Sequence, residues 1–192
     1  MIEVNEPSAR PELIRELHSV HKQSTVFWSS FATPELFEPI GKAWSPADNL
    51  RHLLKSNRPV ARALEVPRPA LMVRFGLTWR RSRTYVELRE TYLTALAGGV
   101  TAGRFAPSPE PPPADPDAAR RELMEKREMV AARLLAALTR WSEWSLDHLV
   151  MPHPALGKLT AREMLFFTLY HNTHHVENVA RSKGMVPAEV IR

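Results

Sequence analysis

The sequence contains no cysteine, which excludes every site that would need a thiolate from the chain itself. It therefore offers no disulfide framework, zinc ribbon, iron–sulfur cluster or thiol nucleophile, and any metal ion must be held by histidine, aspartate or glutamate. Glycine is scarce, at 7 of 192 residues. No hydrophobic run approaches the roughly 18 residues that span a bilayer. Proline and histidine are plentiful instead, with 17 and 8 residues.

The charge balance and the N-terminus argue against a nucleic-acid partner and a signal peptide. A net charge of +5 is too small an excess to indicate a nucleic-acid partner. The first six residues, MIEVNE, are acidic and lack the basic and then apolar layout of a signal peptide. We therefore expect residues 1–192 to form a single cytoplasmic domain that binds neither nucleic acid nor membrane.

Helical periodicity dominates the chain. Four segments repeat apolar residues at steps of three or four and lie at about residues 11–31, 46–64, 116–141 and 160–183. Residues 84–97 predict a further helix, whereas the proline-rich residues 105–116 predict a loop. Pro59 is expected to kink or divide the second helix. No segment shows sustained strand alternation, so the sequence predicts an all-α bundle.

The last helix carries the most informative pattern. His171 and His175 are four residues apart, which places both imidazoles on one helix face, one turn from each other, where they can bind one ion. The alternative interpretation is that these are buried histidines hydrogen-bonded to their neighbours. A metal site needs a third ligand, and the candidates are His18, His21, His52, His148 and His153. Periodicity does not select His52, which falls about 140° from the apolar stripe of its helix, whereas His21 lies on the stripe of the first helix. The residues alone leave the third ligand open.

Two blocks of sequence resemble the DinB-like (YfiT-type) superfamily. The first is residues 44–53, WSPADNLRHL, in the second helix. The second is residues 153–160, HPALGKLT, followed by HNTHH at residues 171–175. The resemblance implies a four-helix bundle with an up-down-down-up course and a long crossover between helices two and three, for which the proline-rich residues 66–116 are suited.

The resemblance also implies a metal site. Members of the family carry a divalent ion, usually nickel or zinc, on three histidines, which correspond here to His52, His171 and His175; iron and manganese are further candidates. Around these ligands we expect four residues to hold an imidazole or to line the pocket, namely Tyr170, Asn172, His174 and Asn178. Glu177 lies on another face of the helix and is a poor ligand.

The family suggests two classes of function. The first is a metal-dependent thiol transferase or hydrolase, in which the ion activates a thiol such as bacillithiol or mycothiol, or a water molecule. The absence of cysteine is compatible with a thiol that arrives from outside. The alternative is a non-catalytic stress-response or ligand-binding protein with a structural or vacant site. The resemblance further implies a homodimer and a small-molecule substrate.

A basic cluster provides the one argument for nucleic acid. Arginines interleave with aromatic residues, as single-strand binders require; the set is Arg74, Trp79, Arg80, Arg81, Arg83, Tyr85 and Arg89. The same residues are equally consistent with a solvated face whose two rings pack inward, or with a pocket for an anionic thiol. Given the small net charge, we expect no nucleic-acid binding.

Overall fold

The computed structural model describes residues 2–185, whose regular secondary structure is helical apart from one short hairpin. The helices are α1 (Arg10–Ser29), α2 (Thr33–Phe37), α3 (Pro46–Glu65), α4 (Arg68–Phe75), α5 (Tyr85–Ala97), α6 (Pro116–Leu138), α7 (Glu143–His148) and α8 (Ala161–Ser182). A single 3-10 turn lies at Gly103–Phe105, and the strands are β1 (Val150–His153) and β2 (Gly157–Thr160). Within residues 2–185, no helix combines the length and hydropathy that crossing a membrane requires.

Local capping fixes where four of these helices begin. In each case the side chain before the helix accepts a hydrogen bond from a backbone N–H in the first turn, and the capping residues are Ser45, Thr84, Asp115 and Thr160. Such bonds satisfy donors that have no partner within the helix. The predicted starts of the second, third and last long helices and of the helix at residues 84–97 are therefore confirmed.

Contacts at the helix ends show that α1 and α6 are antiparallel. At the start of α1, Arg10 Nη1 donates to the carbonyl of Thr139, just beyond α6, at 3.2 Å. At its end, the carbonyl of Ser29 accepts from Arg120 Nη2, in the first turns of α6, at 2.8 Å. The beginning of one helix thus lies beside the end of the other.

The other two long helices complete an up-down-down-up course. Glu65, the last residue of α3, pairs with Arg133 near the end of α6, so α3 and α6 run in the same direction. Arg162, at the start of α8, donates to the carbonyl of Ser8, just before α1, so α8 and α1 also share a direction. The four-helix bundle with a crossover between α3 and α6 is confirmed.

Helix α8 is the centre of the structure. It packs against α1, α3 and α5, and nearly every residue between Ala161 and Val179 is buried. Two fully buried rings, Trp28 and Trp141, anchor the surrounding core. Trp141 Nε1 donates to the carbonyl of Leu64 at 2.9 Å, which satisfies the one polar atom of that ring.

The crossover at residues 66–115 covers one side of α8. Helix α5 lies against α8 through edge-to-face rings, with Tyr85 at 6.1 Å from Phe166 and Tyr92 at 5.1 Å from Phe167 between ring centroids. The 3-10 turn then brings Phe105 to α3. The crossover is therefore a wall of the bundle, and it also reaches the region of His52.

Two expectations about secondary structure were wrong. The chain does form strands: β1 and β2 pair antiparallel, with His153 opposite Gly157. Four residues each are too few to show alternation, and the tight turn between them relies on the positive φ of Gly157, at 73°. The division of α3 at Pro59 does not occur either, because the helix continues to Glu65. Because Pro59 is exposed, the carbonyl that it deprives of a donor can be hydrated.

Candidate metal centre

Three imidazoles converge where α3 passes α8. His52 Nε2 lies 2.9 Å from His171 Nε2, and His175 Nε2 lies 3.1 Å from the same atom. All three side chains are buried. His171 and His175 are one turn apart on α8, as their spacing predicts, and His52 is brought to them by the packing of α3 on α8.

Hydrogen bonds on the far side of two rings fix their orientation. His52 Nδ1 donates to the carbonyl of Phe105 at 2.9 Å, and His175 Nδ1 donates to Asn49 Oδ1 at 2.7 Å. An imidazole whose Nδ1 carries the proton presents a lone pair at Nε2. His171 Nδ1 is buried and has no hydrogen-bond partner among residues 2–185.

The electrostatics keep these rings neutral. Burial is the largest cause that lowers the pKa of His52, His171 and His175, and for His171 and His175 neighbouring imidazoles lower the pKa further. The pKa values of His171 and His175 lie well below the usual histidine value. Neutral imidazole is the form that binds a metal ion.

The cluster fits a divalent ion. Two nitrogen atoms that each lie about 2.0–2.1 Å from one ion are themselves about 2.8–3.4 Å apart, for bond angles between about 90° and 109°. The separations of 2.9 and 3.1 Å at His171 match this requirement. Three neutral imidazoles also form a donor set that suits nickel or zinc and leaves at least one coordination position free.

A large cavity opens beside the cluster. Its volume is about 600 Å³, which is within the range of small-molecule sites, and His52, His171 and His175 form part of its lining. The Trp44 ring lies parallel to that of His175 at 6.4 Å and covers one side of the cluster. Any free coordination position that faces this cavity is therefore within reach of a bound molecule.

The remaining candidate ligands lie elsewhere. His18 is exposed, and His21 Nε2 contacts Glu128 at 2.7 Å on the α1–α6 side of the bundle. His148 Nδ1 donates to the carbonyl of Thr78. His153 lines the cavity but is not part of the three-nitrogen cluster. Of the open alternatives, only His52 reaches the pair on α8.

Of the four residues predicted to surround the site, only His174 lies in the cavity lining, and the prediction for Tyr170, Asn172 and Asn178 was wrong. His174 lines the cavity, and its Nε2 accepts from Asn178 at 2.8 Å, while Tyr170 Oη lies 3.4 Å from its Nδ1. Asn172 donates to the carbonyl of Thr168. Neither asparagine contacts a ligand imidazole, because each side chain bonds to a group one turn earlier on α8.

Sequence reasoning missed the asparagine that contacts one of the three converging histidines. Asn49 is buried at the start of α3, where its Nδ2 donates to the carbonyl of Ser45 at 2.9 Å and its Oδ1 accepts from His175. Asn49 lies three residues before His52, on the same face of one helix. This spacing is the feature of the sequence that could have indicated a role for Asn49 near the site. Nothing in the sequence indicates the carbonyl of Phe105.

Replacing Asn49 with alanine is expected to weaken divalent-ion binding by about 10- to 100-fold, because His175 loses the acceptor that fixes its ring. Titration of the metal-free protein with zinc in competition with a chelating dye measures the change. Asn178→Ala is the matched control and is expected to leave the affinity unchanged, because Asn178 bonds to His174. Equal affinities for Asn49→Ala and the wild type would show that the bond to Asn49 does not orient a ligand.

Three of the five arginines in the basic cluster form ion pairs with glutamates of the same chain. Arg80 and Arg83 pair with the buried Glu163, and Arg81 pairs with Glu87. No arginine of the cluster is part of the cavity lining, which includes Arg104 instead. The two rings also differ, since Tyr85 packs inward whereas Trp79 is 77% exposed.

Two solved structures resemble this chain. TT2238, described as a four-helix bundle protein, is 17% identical, with a TM-score of 0.56 over 90% of this chain and 99% of its own. YfiT from Bacillus subtilis, described as a probable metal-dependent hydrolase with an unusual four-helix bundle topology, is 16% identical, with a TM-score of 0.54 over 95% of each chain. At such identities the likeness shows the fold.

Sequence comparison gives the family. No curated protein matches the sequence. The profile of the DinB superfamily, however, matches residues 16–179, which include α3, the crossover and nearly all of α8. The matched region contains all three converging histidines. This chain therefore belongs to the DinB superfamily.

Proposed function

We propose that the protein is a divalent-metal-dependent enzyme that transfers a small thiol to an apolar substrate. The observation that carries the proposal is the placement of three buried Nε2 atoms in the lining of a cavity of about 600 Å³. His52, His171 and His175 would hold the ion, which when bound acidifies a thiol or water ligand and polarises a carbonyl group. Nickel and zinc are the ions that this donor set favours.

The protein's own residues orient two of the three histidines. Asn49 and the carbonyl of Phe105 accept hydrogen bonds from Nδ1 of His175 and His52, which leaves the Nε2 atoms of these rings to face the ion. Apolar side chains, among them Met164 and Phe167, line the cavity next to the ligands.

The composition of the cavity favours a thiol as the nucleophile. No aspartate or glutamate is among the described residues that line it, so a general base for water would have to be a histidine such as His174. A thiol has an ordinary pKa of about 8.5 and needs a smaller shift to ionise than water, at about 15.7. The absence of cysteine from the chain requires that this thiol be an external one.

Hydrolysis, with water in place of the thiol, is a second candidate. It is supported by the description of YfiT, a protein of similar fold, as a probable metal-dependent hydrolase. The same three histidines would serve either nucleophile, and the cavity would bind the same kind of apolar substrate.

The test compares metal-loaded and metal-free protein in two assays. We expect the zinc- or nickel-loaded protein to accelerate the conjugation of bacillithiol, mycothiol or glutathione with chlorodinitrobenzene, and the metal-free protein to be inactive until the ion is restored. Hydrolysis of nitrophenyl acetate is measured in parallel, and acceleration of this reaction alone would favour water as the nucleophile. If loaded protein accelerates neither reaction more than loaded bovine albumin does, the proposed activity is wrong.

A further inference from the structure

His153 ends the first strand of the hairpin and is held there through one of its two ring nitrogens. Nδ1 accepts hydrogen bonds from the backbone N–H groups of Ala155 at 3.2 Å and Leu156 at 3.1 Å. A nitrogen that accepts two N–H groups cannot itself carry a proton. The single proton of the neutral ring must therefore lie on Nε2.

The Nε2–H group of His153 is free to bind a ligand. It has no acceptor among residues 2–185. It is nevertheless not one of the fully buried polar atoms, so solvent or a ligand can reach it. His153 lines the cavity of the three histidines, so this donor opens into that space. Burial lowers the pKa of His153 to about 4, which keeps the ring neutral and its tautomer fixed at neutral pH.

His153 stands close to the metal centre but is separate from it. The Phe167 ring lies between them, with its centroid 4.3 Å from that of His153 and 4.8 Å from that of His171. A molecule that reaches the three-histidine cluster along this ring therefore passes the Nε2–H of His153. The cavity then offers two anchoring points, one on each side of an aromatic surface.

The other residues that line the cavity indicate which kind of molecule fits it. Aromatic and aliphatic side chains dominate its walls, for example Val60, Phe75 and Leu96. No described lining residue is acidic, so a cationic ligand would find no partner of opposite charge. A pocket with mainly apolar walls, in which the neutral Nε2–H of His153 and the guanidinium of Arg104 are donors, suits a largely apolar molecule that carries a hydrogen-bond-accepting oxygen.

We propose that His153 is a substrate-binding residue whose Nε2–H donates to a carbonyl oxygen of an apolar substrate and holds that group beside the three histidines. The inference rests on the proposed function for the presence of an ion at those histidines. It goes further in naming the substrate class, an apolar carbonyl compound, and the residue that recognises its oxygen. His153 belongs to the hairpin, outside both α3 and α8, so it can be altered without touching a ligand.

Acetophenone and α-methylstyrene form a matched pair of probes, because they have the same shape and differ in one oxygen. NMR of the full-length, zinc-treated protein with nitrogen-labelled histidine detects the Nε2–H of His153. We expect acetophenone, but not α-methylstyrene, to move this resonance downfield. A resonance that responds equally to both probes, or to neither, would overturn the proposal without any need for a variant.

Two variants make the test quantitative. In His153→Asn, the amide oxygen takes the place of Nδ1 and can accept the same two backbone N–H groups, but no donor reaches the cavity. We expect the preference for acetophenone over α-methylstyrene, measured as a ratio of two Kd values, to fall by about 2- to 10-fold, the loss of one hydrogen bond. His153→Gln extends a donor toward the place of Nε2 and is expected to restore part of that preference.

The outcome is separable from that of the proposed function. Metal content is measured on the same samples and depends on His52, His171 and His175. Protein that holds no ion but keeps the His153 response would contradict the proposed function and leave ligand recognition intact. An unchanged Kd ratio in His153→Asn, with melting temperature and metal content equal to wild type, would overturn the role of His153.

Discussion

His52→Ala is expected to lower the affinity for zinc or nickel by more than about 100-fold, because it removes one of three ligands from a site that has no spare donor at that position. The two other histidines of the cavity lining, His153 and His174, are not part of the cluster. The ion should also stop stabilising the fold, since stabilisation by a ligand follows its occupancy. Chelator competition measures the affinity, and the rise of Tm on adding zinc gives an independent reading.

His21→Ala is the matched control, because it too removes a histidine from a long helix. His21 contacts Glu128 and lies outside the cluster, so metal affinity should remain that of the wild type. A result in which His21→Ala loses the ion and His52→Ala retains it would reverse the assignment of the third ligand.

Glu163→Gln is expected to destabilise the protein by about 2–4 kcal/mol, the cost of leaving a buried charge network without its carboxylate. The Glu163 side chain is fully buried and accepts from both terminal nitrogens of Arg80 at 2.6 Å. It also accepts from the backbone N–H groups of Arg83 at 2.8 Å and Thr160 at 2.9 Å. For a chain of this size the fall in Tm should be about 5–15 °C.

Glu87→Gln provides a control with the same local chemistry at the surface. Glu87 forms a capping box with Thr84 and a two-pronged pair with Arg81, as Glu163 does with Thr160 and Arg80, but both members of the surface pair are exposed. Exposed pairs contribute little. We therefore expect a much smaller fall in Tm, and equal effects of the two substitutions would show that burial of Glu163 is not what makes its network strong.

The contribution of Glu163 should also depend on pH. Burial opposes its ionisation, but the bonds from Arg80, Arg83 and Thr160 outweigh this and hold the pKa of Glu163 below its ordinary value. A carboxylate with a lowered pKa in the folded state stabilises fully above the unfolded pKa, about 4.3 for glutamate, and less as the pH falls below it. The difference in stability between wild type and Glu163→Gln should therefore shrink in acid, as denaturation by urea at several pH values would reveal.

The helix starts were predictable because their causes are local. Ser45, Thr84, Asp115 and Thr160 each accept from a backbone N–H within three residues, so the evidence lies within one turn of sequence. The pairing of His171 and His175 is local for the same reason. Their four-residue spacing fixes their common face whatever surrounds the helix.

The third histidine depends on the packing of helices that are distant in sequence. A helical wheel sets His52 apart from the apolar stripe of α3, yet its side chain is buried, because α3 packs against both α6 and α8 and so buries more than one face. His21 lies on the apparent stripe of α1. The buried face of that helix, however, contains Leu17 and Val20, and His21 lies at the edge of this face. The family resemblance, and not the periodicity of the helices, indicated His52 as the third histidine.

The carbonyl that contacts His52 and the tautomer of His153 could not be predicted from the sequence, for a different reason. Phe105 contributes a backbone carbonyl to His52, and a backbone atom leaves no trace in the identity of its residue. His153 acquires its fixed tautomer from a turn within a hairpin whose strands are too short to predict. Such contacts follow only from the folded chain.

The metal content of protein purified without a histidine tag tests the central claim most directly. After incubation with zinc or nickel and removal of the excess, elemental analysis is expected to give close to one ion per chain, because the fold brings three buried imidazole nitrogens together at one point. His171→Ala, which removes the nitrogen nearest to both others, should give a content close to zero. Less than ~0.2 ion per wild-type chain would contradict the account, since a preformed site of this kind should fill readily.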